Sequence, residues 1–158
     1  MKKITLLLVC LLVGVATSFA QRAGDSSVGL NFNYASETEF GIGTKYQYYI
    51  TDNVRMEPEF NYFFKHDYVS FWDLGLNVSY LFQVAPDVGL YPLVGLGYAN
   101  AHFDEWDSND GSVQAKFGAG AEFRVYPNCK LIIEPKYQVL NTDFKNQFVI
   151  TAGLSYTF

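Results

Sequence analysis

The chain has 158 residues, the size of one domain, and its formal net charge of −5 disfavours nucleic acid as a partner. Charged residues make up 17% of it, below the ~25% of ordinary globular domains, whereas aromatic residues reach 18%. Cys129 is the one cysteine beyond the apolar N-terminal segment, which excludes an intramolecular disulfide in a chain that has lost this segment.

The first twenty residues, MKKITLLLVCLLVGVATSFA, have the three parts of a secretory signal peptide. Lys2 and Lys3 precede an apolar run, and small residues up to Ala20 provide a cleavage site. The apolar run is shorter than the ~20 residues of a membrane-spanning helix, which disfavours the alternative of a retained anchor. We therefore predict cleavage after Ala20, export of the protein, and a single domain over residues 21–158.

Apolar and polar residues alternate along the rest of the chain. In VGLNFNY, which begins at Val28, the apolar side chains share one face and Gly or Asn the other. A period of two over such lengths predicts strands with one apolar and one polar face. The pattern occurs eight times with no helical stretch between. The predicted strands are residues 27–35, 40–50, 54–64, 70–82, 89–102, 112–126, 130–140 and 147–158.

The predicted links between strands alternate in length. Tight turns are predicted at residues 51–53, 83–88 and 127–129. The other links, some of them longer and acidic, are predicted at residues 36–39, 65–69, 103–111 and 141–146, with a turn at Asp110-Gly111. Short turns at one end and longer loops at the other are typical of an up-and-down barrel.

Three prolines lie inside predicted strands, at Pro58, Pro92 and Pro135. Proline cannot donate a hydrogen bond to the ladder of a sheet. The segments MEPEF and IEPKY repeat the same local pattern, and we expect a β-bulge there.

The polar faces carry ten charged residues, five of each sign. The interior of a narrow barrel requires such a balance because a buried charge is costly unless it is paired. An eight-stranded barrel has room inside only for its own side chains, so the aromatic faces must point outward, into lipid. The predicted interior charge network is Lys45, Arg55, Glu57, Glu59, Asp73, Lys116, Glu122, Arg124, Glu134 and Lys136.

Aromatic residues concentrate at both ends of the apolar faces, and aliphatic residues such as Leu76 and Val94 lie between. Two aromatic belts around an aliphatic band are typical of a protein that crosses both interfaces of a bilayer. The predicted fold is therefore all-β: a closed, eight-stranded, antiparallel, up-and-down transmembrane β-barrel.

With these eight segments, GAGAEFRVY in the sixth strand and the terminal LSYTF, the chain resembles the OmpA/OmpX-type family of small outer-membrane barrels. The resemblance covers residues 21–158. It implies an outer-membrane location, a monomer and surrounding lipid. It also implies that Tyr156 and Phe158 form the C-terminal signal that the outer-membrane assembly machinery reads.

Three functions are open at this point. A lumen filled by balanced charges favours a plugged barrel with a structural or surface-interaction role. A narrow, porin-like channel for ions or small solutes is the alternative, and a lipid-modifying enzyme is a more remote one. Both histidines lie in predicted links or at strand ends, and their spacing from serine and acid shows no catalytic set, so we predict no enzyme and no catalytic residue.

The segment DEWDSNDG forms the most acidic predicted loop. Clustered carboxylates bind Ca²⁺ in some loops, but this spacing differs from that of an EF-hand, so no metal or cofactor is predicted. A tryptophan in such a loop is expected to be exposed, where it contacts either a surface partner or the lipid headgroups. The candidate contact for an unknown surface ligand is Asp104, Glu105, Trp106 and Asp107.

Overall fold

A computed structural model of the chain describes residues 23–37, 39–66, 69–103, 108–141 and 146–158. The predicted signal peptide and the predicted contact residues 104–107 lie outside these ranges. Among the described residues, no helix is long and apolar enough to cross a membrane.

The described chain is built from β-strands. Their bounds are β1 Ser26–Ala35, β2 Glu39–Tyr49, β3 Val54–His66, β4 Val69–Tyr80, β5 Phe82–Ala85, β6 Val88–Phe103, β7 Ser108–Tyr126, β8 Cys129–Leu140 and β9 Gln147–Thr157.

These strands close into an antiparallel barrel. Apart from β4 and β5, each strand pairs with its neighbour in sequence; β1 also pairs with β9, and β4 pairs with β6. The short β5 continues β4 after a break at Leu81 and pairs with β6, so β4 and β5 are two parts of one barrel strand. The barrel therefore has eight strands, as predicted, and its ladder has no unpaired edge.

The short connections at residues 50–53, 86–87 and 127–128 lie at one end of the barrel, which we call the turn end. The beginning of β1 and the end of β9 are at this end too, where the Phe158 amide donates to the Ser26 carbonyl at 3.0 Å. The opposite end is called the loop end.

Burial alternates along each strand with the apolar side chains outside. In β1, Leu30 and Phe32 are 68% and 70% exposed, whereas Asn31 and Asn33 are 2% and 3% exposed. This is the reverse of a soluble sheet, in which apolar side chains are buried and polar ones meet water. The outward surface is thus a lipid-facing surface, as the period of two predicts.

The strands extend further toward the loop end than the sequence predicts. Asp110 and Gly111, predicted to form a turn, instead belong to β7, where they pair with Ala101 and Asn100 of β6. Ladder hydrogen bonds join backbone groups, so a ladder continues through polar residues in which apolar alternation has ended. The prediction of a loop over residues 103–111 was therefore wrong in its length.

The prolines lie on the outward face without a register shift. Lys45 faces Glu59 and Tyr48 faces Met56, so the register of β2 and β3 is the same on both sides of Pro58. The register of β7 and β8 is likewise unchanged around Pro135. The predicted β-bulges are absent from these described strands, because the missing amide interrupts the ladder without inserting a residue.

Two apolar clusters lie inside the barrel, one near each end. The loop-end cluster is Ala35, Phe63, Phe71, Ala99, Leu140 and Val149. The turn-end cluster is Tyr49, Leu81, Tyr91, Leu93 and Ile132. The interior is thus predominantly polar between two apolar regions, a layering that the alternation of polar and apolar residues did not predict.

Candidate functional site

The barrel interior holds ten buried charged side chains among the described residues, five of each sign, and those nearest the turn end lie among the residues of the turn-end cluster. None of them is more than 4% exposed. They project from five strands, β2, β3, β4, β7 and β8, because inward positions recur every second residue in each strand. They are Lys45, Arg55, Glu57, Glu59, Asp73, Lys116, Glu122, Lys130, Glu134 and Lys136.

Arg55 of β3 is the centre of the charges near the turn end. Its Nε donates to Glu57 Oε1 at 2.8 Å, and its Nη1 pairs with Glu122 of β7. The guanidinium carbon lies 4.0 Å from the centroid of the Tyr91 ring, which is the distance of a cation–π contact. Lys130 of β8 extends this group, with its Nζ 3.6 Å from Glu122 Oε1. One arginine thereby connects strands on opposite walls of the barrel.

Glu134 of β8 links the turn-end charges to those in the middle. The Nζ of Lys45 donates to both carboxylate oxygens of Glu134, at 2.5 and 2.6 Å. The same ammonium lies 3.6 Å from Glu57 Oε2. The Tyr91 hydroxyl donates to Glu134 at 2.7 Å, and Lys136 Nζ is 3.5 Å from its other oxygen. The carboxylate is therefore held by three side chains from three strands.

The charges nearest the loop end share two lysines. Lys136 Nζ lies 3.1 Å from Glu59 Oε2, and Lys116 Nζ donates to Glu59 at 2.7 Å and to Asp73 at 2.6 Å. Asn61 Nδ2 then donates to Asp73 Oδ1 at 3.1 Å. The Asn61 side chain accepts in turn from Asn33 of β1, which accepts from Thr151 of β9, so the hydrogen bonds continue to these two strands.

These contacts form one continuous series, which we call the buried charge chain. Each charge lies within 4.0 Å of a charge of opposite sign, and the sign alternates at every step. In the low-dielectric interior of a membrane protein, this arrangement offsets the high cost of removing ions from water. Its order is Lys130, Glu122, Arg55, Glu57, Lys45, Glu134, Lys136, Glu59, Lys116 and Asp73.

Nine of the ten residues predicted from the sequence lie in this chain; the tenth, Arg124, is half-buried at the turn end. Glu122 faces Ile132 and Arg124 faces Lys130, so the register of β7 and β8 holds as far as Arg124, which is less enclosed because it is nearer the turn end. Lys130, which the prediction omitted, faces inward with Glu134 and Lys136 at even positions of β8. The same period that selected those two residues could have found it.

The sequence-based prediction also missed the two inward tyrosines that connect the charge chain. Tyr91 contacts both Arg55 and Glu134, and the Tyr49 hydroxyl accepts from Arg55 Nη1 at 2.9 Å and from Lys130 Nζ at 3.1 Å. Their inward positions follow from strand periodicity, but their partners lie on other strands.

The remaining predicted site residues lie apart from this chain. Tyr156 and Phe158 are 57% and 68% exposed on the outward surface at the turn end. The candidate surface contact, Asp104 to Asp107, lies outside the described residues. In the described ranges, no group of three His, Cys, Asp or Glu side chains is arranged to hold a metal ion.

Comparison with known families and structures identifies the barrel. The sequence profile of the outer membrane protein beta-barrel domain matches residues 5–158. The chain belongs to this family. It is therefore an outer-membrane protein, in agreement with the location that the sequence predicted. Among curated proteins, none matches the chain.

Several solved outer membrane barrels share the fold. The N-terminal barrel of Pseudomonas aeruginosa OprF is 20% identical, with a TM-score of 0.69 over 87% of this chain and 100% of that one. Neisserial surface protein A is 18% identical, with a TM-score of 0.68 over 85% and 96%. Ail of Yersinia pestis is 20% identical, with a TM-score of 0.59 over 85% and 99%. At these identities the likeness shows the shared fold alone.

Proposed function

We propose that this outer membrane beta-barrel protein has a structural or surface-interaction role and that its lumen does not conduct. The buried charge chain is the observation that supports the proposal. It crosses the lumen without a break between Lys130 and Asp73, and the loop-end cluster packs beyond it. An ion crossing the barrel would have to separate several buried pairs, each of which is expensive to break.

Planar-bilayer recording tests this proposal against the narrow channel. The wild-type protein is expected to insert without steady, large-conductance events, because its interior pairs remain closed. Insertion is checked separately by the altered gel migration of the unboiled, folded form and by co-sedimentation with vesicles. A steady large conductance from the folded wild type would favour the channel and contradict the plugged barrel.

We further propose that the barrel is not an enzyme. Ser112, a serine ten positions after His102 in sequence, is 2% exposed, and its hydroxyl donates to the Val113 carbonyl at 3.2 Å. A nucleophile for lipid must instead reach the membrane surface, with a base within hydrogen-bond distance. The position of Ser112 therefore supports a role other than catalysis. Ser112→Ala is therefore expected to leave the lipid composition of the host membrane unchanged.

The proposed partners are outer-membrane lipid, the assembly machinery during biogenesis, and an unknown surface ligand at Asp104, Glu105, Trp106 and Asp107; the protein is proposed to act as a monomer. Deletion of residues 104–107 is expected to abolish capture of the surface ligand. The gel migration of the unboiled, folded form should stay unchanged. Loss of both together would indicate a folding defect instead of a contact role.

Phe158→Ala is expected to lower the amount of barrel assembled in cells. The exposed ring lies at the turn end, where it is available both to the headgroup region and to a receptor. The substitution keeps the backbone hydrogen bond from Phe158 to Ser26. Refolding of the purified chain into detergent should change much less, because no machinery takes part.

A control for Phe158→Ala is Ser155→Leu, which inserts bulk at an inward position that is 1% exposed. The Ser155 hydroxyl donates to Gln47 Oε1 at 3.0 Å, so this variant should fold poorly in cells and in detergent alike. If Phe158→Ala assembles in cells as well as the wild type does, the terminal ring is part of the aromatic belt and is not an assembly signal.

A further inference from the structure

A groove lies on the outward surface along β2, between β1 and β3. Its floor is Ile42 and Thr44 of β2, with the backbone of Gly43 between them. Its walls are Leu30 and Phe32 on one side and Phe60 and Tyr62 on the other. Leu30, Thr44 and Phe60 are paired across the three strands, so a small side chain lies between two large ones. This difference in size forms the groove, whose volume is about 460 Å³.

The groove is almost entirely apolar. The one hydroxyl of the floor, Thr44 Oγ1, donates to the Gly29 carbonyl at 3.0 Å. Its hydrogen is therefore already bonded to the backbone. Along β2 the outward Phe40 and Tyr46 lie beyond its two ends. Since the aromatic belts mark the two interfaces, the groove lies in the hydrocarbon part of the membrane. A polar ligand is therefore excluded as its occupant.

The width of the groove selects one kind of apolar occupant. Neighbouring strands are about 4.8 Å apart, so β1 and β3 are about 10 Å apart before their side chains are counted. A transmembrane helix with side chains is about 10–12 Å across and would rest on the walls without reaching the floor. A single hydrocarbon chain is narrow enough to lie between the walls. The groove is also continuous with the lipid-facing surface, from which such a chain enters.

We propose that this groove is a binding site for one acyl chain of a membrane lipid, held between Phe32 and Phe60 above Thr44. The rigid ring walls contact the chain on two sides, whereas a flat barrel surface contacts it on one. Dispersion contacts, which add up over many atom pairs, thus favour retention of this chain over its neighbours. Such a lipid is expected to remain bound when the protein is purified, unlike the lipids that only surround the barrel.

Native mass spectrometry of the folded protein in detergent, titrated with dipalmitoyl phosphatidylethanolamine, tests the proposal. The wild type is expected to retain one lipid. Thr44→Phe places an aromatic ring on the floor of the groove and should lower the lipid-bound fraction severalfold. Ile42→Phe, at the other floor position, should lower this fraction as well. Both substitutions lie on the lipid-facing surface, so the unboiled gel migration should be unchanged.

Two controls match these variants. Thr44→Val keeps the shape of the floor and removes only the hydroxyl, so lipid retention should persist. Val94→Phe adds the same ring to an outward position of β6 that is 55% exposed and far from the groove, so retention should again persist. Equal retention by the wild type and Thr44→Phe, or equal loss in Val94→Phe, would overturn the proposal. So would a wild-type dimer that Thr44→Phe converts to a monomer, because the groove would then bind a second copy.

Discussion

Glu134→Ala is expected to destabilise the folded barrel by about 3–5 kcal/mol, the cost typical of leaving a buried charge without its partner. The Glu134 carboxylate accepts two hydrogen bonds from Lys45 and one from Tyr91. The nearest remaining carboxylate of Lys45, that of Glu57, is 3.6 Å away and is engaged by Arg55 at 2.8 Å. Urea unfolding in lipid vesicles, followed by tryptophan fluorescence, measures the loss.

The matched controls for Glu134→Ala each remove a carboxylate that is not part of the buried charge chain. Asp87→Ala changes an exposed residue of the turn between β5 and β6, and Glu105→Ala changes the predicted acidic loop. Each should alter the free energy of unfolding by no more than about 0.5 kcal/mol. Replacing Lys45 and Glu134 together by Met and Leu should cost less than the two single changes added. Equally small effects from all variants would show that the interior is hydrated.

Gly120→Ala is expected to destabilise the barrel by at least the ~1–3 kcal/mol typical of overpacking. A β-carbon on Gly120 would come within 2.5 Å of the Tyr91 hydroxyl and still closer to its ring. Tyr91 is 1% exposed and is fixed from both sides, under the Arg55 guanidinium and by its hydrogen bond to Glu134. Displacing this ring therefore disturbs two ion-pair groups at once. The measurement is again the free energy of unfolding in vesicles.

Gly29→Ala is the control for Gly120→Ala, because its new β-carbon meets nothing closer than 3.3 Å and needs only small adjustments. The steric cause is tested in a Tyr91→Leu background, where Gly120→Ala should cost much less. If Gly120→Ala is as stable as the wild type, or equally harmful without the Tyr91 ring, the clash with Tyr91 is not the cause.

The sequence alone determined which face of each strand meets lipid. Side chains alternate between the two faces of any strand, whatever its partners, so Glu57 and Glu59 had to lie opposite Pro58. Together with the lipid-facing aromatic residues, this period was enough to predict eight strands, a closed barrel and nine members of the buried charge chain. The aromatic belts and the balanced interior charges predicted a membrane barrel, the resemblance to a known family implied the outer membrane, and the profile match confirmed this location.

The alternation of residues was least informative at the strand ends. Asp110 continues the ladder of β7 although the pattern of apolar residues has stopped. Arg124 keeps the register of Glu122 but is only half-buried at the turn end, so alternation alone did not distinguish it from the fully buried charges. The inward Phe63 and Phe71 have no charge to mark them as interior residues, so the loop-end cluster that they form was not predicted.

Only the tertiary structure decided which charges are partners. Lys45 and Glu134 are 89 positions apart, and they meet because β1–β9 and β4–β6 pairing closes the sheet. The pattern within a strand shows which face a residue occupies. Whether two residues on different strands lie at the same height in the barrel depends on the register of every strand pair that separates them. The alternating order of the charge chain and the width of the lipid-facing groove therefore follow from closure and register, which no local pattern contains.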